Sequence, residues 1–170
     1  MKKYTIPFFL IGSLVMVYVM TKTGAPLKTP GTLHGILDLE FAYNTAKAST
    51  VINAWTSSGS IAAAKLNTWL DFLFLFFYSF FLFFACKIIA QIFDGAIAKA
   101  GHLIAKGALL AGLLDILENT GMLLTLNGHT SASIAFLTTF FSVIKWALAL
   151  VAVLYILTGV LVSVYRKIKS

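Results

Sequence analysis

The chain has 170 residues, of which 59% are hydrophobic and only 11% charged. With a mean hydropathy of +0.92, it falls well short of the roughly 25% charge of an ordinary soluble domain, and it is too apolar to be disordered. The formal net charge of +7 does not mark a nucleic-acid binder. The basic residues sit beside long apolar runs rather than among polar ones, as flanks that orient membrane spans, and no nucleic acid is expected as a partner.

A membrane helix needs about 20 mostly apolar residues, and four stretches supply them, at about 4–21, 66–90, 103–126 and 133–165. The first could be a signal peptide, but Thr23-Gly24-Ala25 is a weak cleavage site, so it is read as a true first span. The fourth exceeds the bilayer and must tilt or protrude. The expected fold is therefore all-α: a single transmembrane domain over 1–170, built as a four-helix bundle.

Between the first two spans lies a loop, 22–65. It opens on Gly24-Ala25-Pro26 and Pro30-Gly31, which break helices. Over 37–55, Leu37, Phe41, Ala48, Ile52 and Trp55 recur at helical spacing, which predicts an amphipathic helix on the surface or capping the bundle. Asp38 and Glu40 fall in its first turn, where carboxylates suit the helix dipole. Ser60 is placed to cap a helix entering the second span. Trp55, Trp69 and Trp146 map near one interface, where tryptophan anchors.

Orientation follows from the basic residues. Lys2, Lys3, Lys87, Lys99, Lys106, Arg166, Lys167 and Lys169 fall on one side; Lys22, Lys28, Lys47 and Lys65 fall on the other. The richer side is expected to be cytoplasmic, which puts both termini there and the 22–65 loop outside.

The six acidic residues carry the sharpest signal. Asp71, Asp115 and Glu118 lie within spans, where a charge costs roughly 2.5–3.5 kcal/mol on insertion scales. At about 1.5 Å per residue, Asp115 and Glu118 stand ~14 and ~18 Å from Lys106, and Asp71 stands ~24 Å from Lys87. On the same scale Lys145 stands ~31 Å from Arg166, so all four can share the outer half of a bundle. Ala105, Ala108, Gly112, Asp115, Asn119 and Met122 form one stripe on the third span, and Asn67, Asp71, Tyr78 and Ser79 one face of the second. Small residues let helices approach closely and polar ones then bond across the contact. The opposite face of the second span is phenylalanine: Phe72, Phe76, Phe77, Phe80, Phe83 and Phe84. It is expected to meet lipid or a partner.

The expected polar cluster is therefore Asp71, Tyr78, Asp115, Glu118, Asn119 and Lys145. Two readings of it stay open. In one, the side chains bond one another and fix helix register. In the other they line a ligand or proton-handling site. His34, His102 and His129 lack metal-binding spacing, Cys86 has no partner for a disulfide, and no phosphate or dinucleotide motif is present. Neither metal nor cofactor is expected.

Three stretches, Gly35-Ile36-Leu37-Asp38-Leu39-Glu40-Phe41-Ala42, Leu70-Asp71-Phe72-Leu73-Phe74 with Tyr78, and Asp115-Ile116-Leu117-Glu118-Asn119, together resemble small uncharacterised bacterial four-span membrane proteins. That resemblance covers roughly 35–120 and implies the topology and a bacterial inner-membrane location. The expectation for function is a non-catalytic membrane protein: an accessory or scaffold subunit, or a lipid-binding module. Its partners would be membrane lipids and other membrane subunits. The alternative is a membrane-embedded enzyme acting on a lipid or isoprenoid, with Asp71 and Glu118 as acid and base.

Overall fold

The computed structural model describes residues 4–169; Lys2 and Lys3, which enter the charge argument, lie outside them. Its order is α1 (Thr5–Gly24), α2 (Ile36–Glu40), α3 (Thr45–Ser57), α4 (Ile61–Ile89), α5 (Gly95–Leu126) and α6 (Ala132–Lys169). Short 3-10 turns follow α1 and α4. Among the described residues four helices are long and apolar enough to cross a membrane, which makes this a multi-pass membrane protein.

Helix α4 starts before the apolar run because Ala62, Ala63 and Ala64 extend it outward, alanine being the best helix former. Gly95, at φ 61°, turns the chain into α5, which begins eight residues earlier than the hydropathy of 103–126 implies.

Small residues set how the long helices meet. The ideal Cβ of an alanine at Gly112 would lie 2.9 Å from Ser79 Cβ, so α4 and α5 approach to a distance only glycine allows. Gly101 seats the ring of Tyr155, and Gly159 seats Ile89, on the α5–α6 and α4–α6 contacts. Leu82, Cys86, Ala105, Ala108 and Ala152 fill the centre of this end.

Helix α1 packs on α4 through aromatic rings. Phe9 lies with its ring centroid 5.7, 5.4 and 5.6 Å from those of Phe76, Phe80 and Phe84, and Gly12 leaves room for Phe77. Edge and offset ring pairs are favourable beyond the area they bury. Much of the phenylalanine face therefore meets the chain's own first helix, a correction to its expected exposure.

The 25–60 segment folds as a cap over one end of the bundle. The single helix expected over 37–55 is two helices, because Asn44 ends the intervening turn and its Oδ1 accepts from Lys47 N at 2.9 Å to start α3. Trp55 is no interfacial anchor. It is fully buried, and its Nε1 donates to Leu27 O at 2.9 Å and Thr32 Oγ1 at 3.1 Å. Ser60 occupies the N-cap position of α4 but makes no side-chain cap bond; its hydroxyl instead donates to Pro26 O at 2.8 Å, tying the two ends of the cap together.

Candidate functional site

Just beneath the cap, α6 contributes Lys145, which is buried at 6% exposure. Its Nζ lies 2.7 Å from Glu118 Oε2, 3.0 Å from Asp115 Oδ1 and 3.7 Å from Glu40 Oε2. A buried ammonium is tolerated only with such partners. Asp115 also accepts on Oδ2 from the Tyr78 hydroxyl at 2.7 Å. Asn119 Nδ2 donates to Asp71 Oδ2 at 2.9 Å and, more weakly, to Asp115 Oδ1 at 3.4 Å. Asp71, Tyr78, Asp115, Glu118, Asn119 and Lys145 thus belong to one connected network between α4, α5 and α6.

The backbone explains the convergence. Asp115, Glu118 and Asn119 are spaced three and four apart on α5, so they stack on one face. Asp71 lies on the face of α4 that meets it. On α6, Ser142, Lys145 and Trp146 repeat the same spacing.

Glu40 is the member that its place in the loop concealed. It ends α2, is 5% exposed, and its Oε2 accepts from Ser142 Oγ and Trp146 Nε1, both at 3.1 Å. Its backbone carbonyl accepts from Thr139 at 2.8 Å. The carboxylate expected on the outer loop, in a helix's first turn, is therefore inside the bundle, because α2 is only five residues long and packs against both α5 and α6. Asp38 remains in the cap, where its Oδ2 accepts from His34 N at 2.9 Å.

Beside this network is a cavity of about 390 Å³, within the range of small-molecule sites. Ser13, Val17 and Met20 of α1 form one wall; Trp146, Ala149 and Val153 of α6 form the facing one. Helix α1 packs on α4 and α6 packs on α5, so the space between α1 and α6 is left to the cavity, with α2 as its roof. Val17 and Trp146, each about half exposed, stand at a sideways mouth. The floor is mostly apolar, and Asn67, Asp71, Tyr78, Asp115, Asn119 and Lys145 form the polar end.

No family model, curated protein or solved structure matches the chain. Function must be read from the side chains.

Glu118 is the network member that does not line the cavity. It is completely buried, on the far side of Lys145. Its Oε1 has no hydrogen-bond partner among the described residues, and its Oε2 meets Lys145 at ion-pair distance without hydrogen-bond geometry. It can hold Lys145 but cannot reach a molecule in the cavity, so the expected Asp71–Glu118 acid–base pair does not face a common substrate. Two other buried oxygens without a partner among the described residues, Asn67 Oδ1 and Asn119 Oδ1, belong to residues that line the cavity. Buried polar atoms are nearly always satisfied, so such atoms at a cavity wall mark where a ligand or water would bond.

Proposed function

We propose that this chain is a lipid-binding module of the bacterial inner membrane, working as an accessory subunit rather than as a catalyst. The observation that carries the reading is the cavity: apolar along its length, open sideways between two spans, and polar at one end. Its shape suits an amphiphile whose chain lies among Val17, Met20 and Val153 while its head reaches Asp71 and Asn119. The mouth faces the direction from which a lipid would arrive without leaving the bilayer.

The distribution of lysine and arginine supports an orientation with both termini in the cytoplasm and the cap outside. On that orientation the polar end of the cavity lies in the outer half of the membrane. Leu150, Leu154, Leu157 and Leu161 of α6 are exposed and offer a surface for lipid or a neighbouring subunit.

Purification in a mild detergent followed by native mass spectrometry tests the reading. A retained lipid adduct is expected, and Ala149→Phe, which places a ring in the cavity, is expected to reduce it. A lipid-free wild-type chain, or equal retention by Ala149→Phe, would overturn the proposal.

A further inference from the structure

The cavity's polar end can be accounted for donor by donor. The hydroxyls of Ser13 and Thr68 bond Phe9 O and Ala64 O, at 2.7 and 3.0 Å. The Tyr78 hydroxyl is committed to Asp115 and the Trp146 N–H to Glu40. Lys145 is surrounded by three carboxylates. Asn119 places its amide hydrogens on Asp71 and Asp115, and Asn67 places its own on Met20 O at 3.0 Å and Thr23 Oγ1 at 2.7 Å. Lys145 makes one hydrogen bond, to Asp115 Oδ1 at 3.0 Å, and turns the rest of its charge to Glu118 and Glu40. Among the described residues it is the one side-chain donor of this wall not fully used, and three carboxylates already balance it.

The acceptors are not all used. Asn67 Oδ1 and Asn119 Oδ1 are buried without partners, in residues 1% and 0% exposed. Both amides are fixed in orientation, since their nitrogens face a carbonyl or carboxylate that can only accept. Asp71 accepts through Oδ2, which leaves Oδ1 free. Asn67 and Asp71 are one turn apart on α4, and Asn119 reaches Asp71 from α5. Four carboxyl groups, from Glu40, Asp71, Asp115 and Glu118, surround a single ammonium, and that ammonium forms its ion pairs with the three other than Asp71.

A wall that offers open acceptors and an unpaired acid, and whose one cation is already balanced by three carboxylates, selects a ligand that brings donors and positive charge. We propose that the cavity binds an amphiphile with an ammonium head, seated on Asp71, Asn67 and Asn119, and that it discriminates against anionic heads. This rests on the lipid-binding reading and narrows it. A phosphate or carboxylate head would have to compete with three carboxylates for Lys145 and would stand against Asp71. An ammonium has three N–H groups to offer the open oxygens of Asp71, Asn67 and Asn119.

The test compares hexadecylamine, hexadecanol and hexadecyl phosphate, which share one chain, on the whole protein in phosphatidylcholine nanodiscs. Binding is read by thermal stability and by competition against a fluorescent alkylamine. A hydrogen bond to a charged group is worth enough for the amine to bind about tenfold tighter than the alcohol or more, with the phosphate weakest. Asp71→Asn is expected to abolish the advantage of the amine while the alcohol still binds. Butylamine, which has the head without the chain, is expected to have no effect.

Equal or tighter binding of the phosphate would overturn the head-group assignment and leave the lipid-binding reading standing. Failure of all three chains would overturn both. A butylamine effect matching that of hexadecylamine would overturn the amphiphile and point to a soluble amine. The wild-type ranking decides the matter by itself if Asp71→Asn does not fold.

Discussion

Toward the cap, α4, α5 and α6 meet through Asp71, Asn119, Asp115, Glu118 and Lys145; toward the opposite end the same helices meet through Leu82, Cys86, Ala105, Ala108 and Ala152. The second arrangement gains by close approach alone. Lipid chains are as apolar as leucine, so helices associate in a membrane when small residues let them pack more tightly than lipid does. The first arrangement desolvates Asp71, Asp115, Glu118 and Lys145 and leaves four side-chain oxygens, of Asn67, Glu118 and Asn119, without a hydrogen bond among the described residues. A bundle needing only stability could have used the apolar solution at both ends. On the proposed lipid-binding reading, the difference marks the capped half as the one shaped by a ligand.

The comparison breaks most severely at Lys145. Replacing it with methionine leaves Glu40, Asp115 and Glu118 without their counter-ion, and removing one partner of a buried ion pair costs about 3–5 kcal/mol. Lys145→Met is expected to lower the unfolding transition sharply in detergent. Adding Glu118→Gln should recover part of the loss, because it removes one of the stranded charges.

In the apolar half the strongest test is steric. Gly112→Ala sets a methyl 2.9 Å from both Ser79 Cβ and Oγ, and overpacking of this kind costs about 1–3 kcal/mol. The same transition should fall, though less than with Lys145→Met. Pairing it with Ser79→Gly, which removes the opposing atoms, should restore much of the stability. A Gly112→Ala change with no effect would mean that α4 and α5 are free to separate.

Glu40 links the cap to the network. Glu40→Gln keeps an acceptor for Ser142 and Trp146, so the expected loss is within about 1 kcal/mol. Glu40→Leu removes all three contacts of the side chain and should speed hydrogen exchange across 36–41 while leaving α5 protected. The smallest effect is expected at Lys65, which donates to Asn127 Oδ1 at 2.7 Å on an exposed surface. Lys65→Ala should leave the transition within roughly 0.5 kcal/mol of wild type.

The four long helices were legible because an apolar run of membrane length has few other uses. Their ends were less so: Ala62 to Ala64 and the Gly/Ala/Lys segment after Gly95 prolong helices beyond hydrocarbon, where hydropathy carries no signal but helix propensity does. The acids of α4 and α5 stood out because each interrupts an apolar run, and the three- and four-residue spacing fixed which faces they share. Glu40 was hidden for the opposite reason. It sits in a polar loop whose path depends on contacts distant in sequence, such as Trp55 with Leu27 and Ser60 with Pro26, which no local pattern encodes. Ser142, Lys145 and Trp146 do show helical spacing, and that stripe was the available clue to a polar face on α6. Composition likewise could not say what covers the phenylalanines; Phe9 and Gly12 on α1 do so through shape.

The central claim is that the capped half encloses a place for an amphiphile rather than a network closed on itself. Photo-cross-linking with an amphiphile bearing a mid-chain diazirine, followed by peptide mapping, tests this most directly. The account predicts labelling at Phe74 and Met122, which line the cavity, that excess unlabelled amphiphile suppresses. Labelling confined to outward-facing positions such as Leu103 and Leu161, insensitive to competitor, would contradict it.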